Sequence, residues 1–257
     1  MNKSHRLISI PLALLAAMAC ARAEPPERFD TREEALKHEC QLQPLKGKEI
    51  ECAVLTEFDG HDLIIFIYDQ MPDGSYERKH RLCITSWYWM AKVGYEDLLG
   101  DGRKFLRVES EGNTGTGTLQ KILSYWGWHD GEFVPVLFET VSYDLVCGTA
   151  QRLHAKISLK NPSSKDVFIG FDYDYTYEDP GIKSTRAWSE SLSWNEASFS
   201  FYRREEETRK LLKPDNYIHK NIIQARINLL DRKCKIEPVG TETLNALQIM
   251  QVLNDNP

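Results

Sequence analysis

Between residues 150 and 180 apolar and polar positions alternate almost without a break. Leu153, Ala155, Ile157 and Leu159 alternate with His154, Lys156, Ser158 and Lys160. After a turn over 161–165, Val167, Ile169, Phe171, Tyr173, Tyr175 and Tyr177 alternate with Phe168, Gly170, Asp172, Asp174, Thr176 and Glu178. A period of two sends successive side chains to opposite sides of a strand, and it cannot lay one apolar stripe along a helix. Upstream, Leu63 to Tyr68 is a near-continuous apolar run, as for a strand buried on both faces, and Met71-Pro72-Asp73-Gly74 follows as a tight turn.

The pattern changes at both ends. Thr31 and Glu34 form a capping box before residues that tolerate helix, which predicts a short N-terminal helix. Thr241 or Thr243 can cap a run in which Leu244, Leu247, Met250 and Leu253 recur at helical spacing, and 221–231 is a second helical candidate. Between these and the strands, 203–213 is a charged, solvated stretch. The fold class read from the chain is mainly β: an antiparallel meander, propeller-like or sandwich, with short N- and C-terminal helices. Its parts are a signal peptide (1–23), a leader with a short helix (24–48), a β-rich domain with an internal repeat (49–203) and a C-terminal helical segment (204–257).

The first 23 residues read as an export signal. Lys3 and Arg6 precede an apolar stretch from Leu7 to Ala21, and Ala21-Arg22-Ala23 places small residues where signal peptidase cuts, after Ala23. The stretch is about 15 residues against the roughly 20 of a spanning helix, so no transmembrane span is expected after processing. The alternative is a lipoprotein acylated at Cys20, although Ala17 stands where such signals usually carry Leu. The expected location is therefore periplasmic or secreted.

Composition narrows the partners. The chain has 257 residues, 42% apolar and 11% aromatic, which excludes a disordered chain and a polytopic membrane protein. Its net charge is −6, and loss of Lys3, Arg6 and Arg22 with the signal makes it −9. Phosphate contacts need surplus Lys and Arg, so nucleic acid is excluded as a partner, whereas a basic protein would be attracted.

Five cysteines follow the signal: Cys40, Cys52, Cys83, Cys147 and Cys234. An oxidising compartment favours pairing, and an odd number leaves at least one over. Cys40 and Cys52 flank a turn-like Pro44–Lys48 segment in an expected hairpin and are the first expected disulfide. No Cys-x-x-Cys occurs.

An internal echo accompanies the strands. Trp128-His129-Asp130-Gly131-Glu132-Phe133 can be laid over Trp194-Asn195-Glu196-Ala197-Ser198-Phe199 at an offset of 66, each with the look of a hairpin, and Tyr68 to Tyr76 offers a third copy. Asp97-Leu98-Leu99-Gly100-Asp101-Gly102, followed by Phe105-Leu106-Arg107-Val108, resembles the Asp-Gly turn and strand of FG-GAP or VCBS-type β-propeller-like repeat proteins, as does the later segment from Trp126 to Leu137. The resemblance implies an extracellular or periplasmic module that binds proteins or sugars. It also implies a calcium loop, for which Asp97 and Asp101 fit. Leu99 and Phe105 occupy other ligand places, and calcium needs about six oxygens, so no metal and no other cofactor is expected.

Catalytic signatures are absent: there is no Gly-x-Ser-x-Gly, no His-Glu-x-x-His and no phosphate loop. Asp172 and Asp174 would lie about 7 Å apart on one face of a strand. That spacing suits the acid and base of an inverting glycosidase, and equally a solvated strand. Trp87 and Trp89, and Trp126 and Trp128, form two Trp-x-Trp pairs whose indoles share a face in a strand. Exposed, they make a platform for sugar rings or a protein partner; buried, they are core. Gly112–Thr118 is a flexible loop suited to a lid. The function read from these features is an exported, non-enzymatic binding protein that recognises or inhibits a basic envelope protein or a glycan through Trp87, Trp89, Trp126 and Trp128. The alternatives are a periplasmic glycan hydrolase using Asp172 and Asp174, and a structural envelope protein without a ligand.

Overall fold

The computed structural model describes residues 24–202, apart from 60–61, 87–90, 116, 148, 161, 163–166 and 198. The expected signal segment, the C-terminal helical candidates and the Trp87/Trp89 pair lie outside the described residues.

The leader forms β1 (Arg28–Phe29) and α1 (Arg32–Lys37). The capping box sets the helix start: Thr31 Oγ1 accepts from the Glu34 amide at 3.1 Å, and Glu34 Oε2 accepts from the Asp30 amide at 2.9 Å. The helix stops after its six residues, and Glu39 just beyond turns left-handed at φ 62°. Then come β2 (Gln41–Gln43), β3 (Cys52–Asp59), β4 (Asp62–Gln70) and β5 (Tyr76–Thr85). They form a five-stranded antiparallel sheet in the order β1-β5-β4-β3-β2. The apolar run becomes β4, flanked by β3 and β5 and covered on both faces. Leu63, Ile65 and Ile67 face one core, while Ile64, Phe66 and Tyr68 face a second core closed by Phe29 and Ala35 of the leader.

The rest is an eight-stranded meander: β6 (Lys92–Glu96), β7 (Phe105–Gly115), β8 (Thr118–His129), β9 (Glu132–Cys147), β10 (Thr149–Lys160), β11 (Phe168–Asp179), β12 (Ile182–Asn195) and β13 (Ser200–Tyr202). Each strand pairs antiparallel with the next. The alternation in 153–177 is satisfied in register: Leu153, Ala155, Ile157 and Leu159 oppose Tyr175, Tyr173, Phe171 and Ile169 on one side. Pro135 sits inside β9 without an amide to donate, and the ladder slips at Tyr125/Trp126 directly opposite.

The two sheets pack face to face. Val54, Ile65, Ile67 and Leu82 of the first meet Leu106, Val108, Trp126 and Phe133 of the second. The architecture is thus a sandwich of meanders, and the larger sheet curls until β13 comes against β9. Both halves of the sequence echo are hairpins, but they differ. Asp130 and Gly131 make a two-residue turn, with His129 opposite Glu132, whereas the second hairpin closes with Asn195 opposite Ser200, a longer connection. Phe133 packs between the sheets; Phe199 packs inside the curl.

The expected Cys40–Cys52 disulfide is corrected: both are buried free thiols. The hairpin expected between them exists as β2 and β3, but Cys52 opposes Gln43 and faces the inter-sheet core with Val54. Cys40 joins Ala53 and Leu55 on the other side of the strand. Neighbouring strand positions point to opposite faces, so the sheet itself separates the two sulfurs. Burial pushes the Cys40 thiol up to about 11 and the Cys52 thiol up to about 12, the latter helped by Asp69, so both stay protonated at neutral pH.

The expected turn over Pro44–Lys48 is instead a strap between the sheets. Leu45 is fully buried beside Lys104 in a parallel bridge; the Lys46 amide donates to Lys104 O at 2.8 Å, and the Trp128 amide donates to Lys46 O at 2.9 Å. Gly47 has φ +84°, and a Cβ there would lie 1.8 Å from Trp128 O, so only glycine lets the strap come this close.

Candidate functional site

The inner side of the curled sheet is a cup. Rings meet across one end of it: Phe105 of β7 and Trp194 of β12, strands that are not neighbours, at 5.7 Å, His129 and Phe199 stacked at 4.7 Å, and Trp194 and its cross-strand partner Phe201 at 5.1 Å. Only a sheet that curls inward can bring β7 and β12 together in this way. These rings stopper the end where β8 turns into β9 and β12 into β13. The β7–β8, β9–β10 and β11–β12 turns lie at the opposite end, where Leu119, Val146 (60% exposed) and Ile182 (61% exposed) stand open to solvent.

From stopper to far end the lining changes from aliphatic to aromatic. Along β11 the inward positions run Ile169, Phe171, Tyr173, Tyr175 and Tyr177, the first four buried and the last half-buried. On β12 they are Leu192, Glu190 and Trp188, opposite Ile169, Phe171 and Tyr173. The rings form a ladder, with Phe171 stacked on Tyr173 at 6.0 Å and Tyr173 on half-buried Trp188 at 5.0 Å and 18°. Trp188 Nε1 donates to Glu190 Oε1 at 2.9 Å, which fixes the indole. Tyr143 adds a further half-buried ring, its phenol held above the ordinary value by burial.

Two carboxylates are sunk into this lining. Glu190 is 8% exposed; Glu139 is fully buried and opposes Leu123 of the cup core. Carboxylates in apolar surroundings are costly unless hydrogen-bonded. On the β6–β8 side the cup is more polar. Tyr125 donates to Glu96, and burial followed by that carboxylate raises its phenol well above the ordinary range; Arg107 pairs with Glu109. Ring faces beside carboxylate acceptors suit reversible binding of a hydroxyl- or amine-bearing group. Among the described residues, no group of three or more His, Cys, Asp or Glu side chains could hold a metal ion, and no helix is long and apolar enough to cross a membrane.

The residues singled out from the sequence fall elsewhere. Trp126 and Trp128 do share a face, as a Trp-x-Trp strand requires, but it is the inter-sheet face. Trp126 is 1% exposed, its Nε1 donating to Ser124 Oγ at 2.9 Å, so the expectation of an open platform is corrected at that position. Trp128 is half-buried and roofed by the Lys48 ammonium 3.2 Å above its ring. Asp172 and Asp174 lie exposed on the outer face of β11, opposite Lys156 and His154, and Asp172 accepts from Ser189 Oγ at 2.6 Å.

Asp97 and Asp101 organise their own turn. Asp97 accepts from the amides of Gly100 (2.7 Å) and Gly102 (2.8 Å). Asp101 accepts from Lys46 Nζ at 2.7 Å and from Arg103. Burial works to raise Asp101, but Lys46 and Arg103 outweigh it and hold the carboxyl below its usual range. These oxygens are committed to amides and cations, the arrangement of an Asp-Gly turn. The side chains of 112–116 and of Thr118, in the loop suited to a lid, lie outside what is described.

No family model matches the chain, and neither does any curated protein. The candidate site therefore stands on its own geometry.

Trp188, Glu190 and Glu139 were not singled out in the sequence. A signal for two of them is present on β12: Trp188, Glu190, Leu192 and Trp194 alternate with Ala187, Ser189, Ser191 and Ser193, one face large and the other small and hydroxylated. Glu139 has no such signal, because only the curl makes its strand face an interior.

Proposed function

We propose that the chain is an exported, non-enzymatic binding protein that holds part of an envelope protein or glycan in the cup of its larger sheet. The export signal and the acidic net charge support the compartment and the preference for a basic partner. The observation that carries the binding reading is the ladder of Tyr173 and Trp188, rigidly stacked, half-open at its outer ring and tied to Glu190. A pre-ordered indole beside a carboxylate can stack a sugar ring and accept its hydroxyls, or take a lysine or arginine side chain by cation–π contact. Little ordering entropy is spent on binding when the ring is already fixed.

The hydrolase alternative has less support. Its carboxylates stand on the outer face in full contact with water, beside Lys156 and Ser189, where no bond to be cleaved is enclosed.

Affinity capture from envelope fractions, read by mass spectrometry and glycan analysis at low and high salt, tests the binding reading. Trp188→Ala should reduce capture about tenfold or more, as loss of a central aromatic anchor does, while the outer-face variant Asp172→Asn captures normally. Undiminished capture by Trp188→Ala refutes the cup as the binding surface. Loss of the captured partner at high salt would mark recognition by the acidic charge.

A further inference from the structure

The strap carries a second arrangement, independent of the cup. Lys48 is only 9% exposed; its ammonium lies 2.7 Å from Asp69 Oδ2 and 3.2 Å above the Trp128 ring. The same indole is met edge-on by His80, at 6.0 Å and 83°, and His80 also touches the Phe133 ring at 6.2 Å. Two basic groups from different elements, the strap and β5, thus converge on one tryptophan. The charged groups that face His80 are Lys48 on the strap, Asp69 on β4 and Glu132 on β9. Glu132 acts on His80 more strongly than Asp69 does but is solvent-exposed and screened, while Asp69, within the seam, is already occupied by Lys48.

We propose that His80 is an acid-sensitive release for the strap: a proton on its ring sets a second cation against Lys48 at Trp128 and Asp69, and the Pro44–Lys48 segment undocks from the end of β8. The proton balance is simple, since one proton moves from solvent to the imidazole and no covalent bond changes. Burial, aided by Lys48 and opposed by Glu132 and Asp69, holds His80 below the ordinary histidine value while the strap is docked. Undocking carries the Lys48 ammonium away from His80 and frees Asp69 from its ion pair, so the open form binds the proton more tightly. By reciprocity the proton favours the open form. Docking is therefore complete above the ordinary histidine pKa and weakens as pH falls through it.

Amide hydrogen exchange on the full chain, read residue by residue by NMR and corrected for intrinsic rates, tests this. The reporters are the Lys46 and Trp128 amides, which hold the strap, with Ile65 in β4 as a control for global opening. Between about pH 7.5 and about pH 5 protection at Lys46 and Trp128 should fall about tenfold while Ile65 is unchanged. His80→Gln, and separately Lys48→Met, which removes the competing cation, should abolish that fall. A wild-type chain with no fall, a fall shared by Ile65, or a fall undiminished in either variant overturns the proposal.

Discussion

At the scale of single residues, surroundings decide between identical chemistries. Trp126 and Trp128 are two positions apart on one strand, yet one is a core side chain and the other a lid over the seam under Lys48. Trp126→Ala should therefore cost about 3–5 kcal/mol, as for a fully buried indole, and Trp128→Ala clearly less. Urea denaturation of the two variants checks the order, and equal losses would contradict the packing described. Gly47 makes a sharper case. Gly47→Ala has both the left-handed backbone and the Trp128 carbonyl against it, and should cost about 3 kcal/mol. Gly102→Ala has φ +87° with open space around it and should cost only about 1 kcal/mol. The same urea experiment reads the difference, which isolates the strap contact from backbone strain. At this scale Trp126 was half legible: the sequence showed that the two indoles share a face, but not what that face meets, because burial depends on which sheet packs there.

At the scale of elements, local pattern and structure agree wherever the determinant is local. The Thr31–Glu34 box starts α1, the apolar run becomes the two-faced strand β4, and the alternation of 153–177 becomes the paired inner faces of β10 and β11. They disagree where a distant element intervenes. Pro44–Lys48 has the composition of a turn and does connect β2 to β3, but its Leu45 finds a better burial under the second sheet than a hairpin tip could give it. That pull carries the backbone across to Lys104 and Trp128 and makes a strap of a turn. The disulfide expectation fails for a related reason. Spacing in sequence says that two cysteines flank a hairpin, while the parity of strand positions decides whether their sulfurs share a face, and here Cys40 and Cys52 do not. Asp97 and Asp101 show the same limit, since an Asp-Gly turn and a calcium loop use the same residues, and the sequence does not say that Asp97 accepts from the Gly100 and Gly102 amides and Asp101 from Lys46.

At the scale of the whole molecule, curl is the property that creates a candidate site. A flat eight-stranded meander would give Tyr173, Trp188 and Glu190 to solvent or to a covering layer. The curled one encloses them behind a stopper of Phe105, Trp194, Phe199 and Phe201. Nothing local encodes that curvature: it follows from strand twist, from the slips in the β8–β9 ladder and from the aromatic contacts between distant strands. The sequence thus showed a β protein with inward tyrosines and stopped short of an interior. Hydroxyl-radical footprinting of the chain alone and with envelope fractions added shows whether the proposed cup is where the molecule binds. Tyr143, Tyr177 and Trp188 should lose reactivity when the envelope fractions are added, while His154 on the outer face keeps its own. Unchanged labelling of the three inner rings, or protection confined to His154 and its face, would contradict the account.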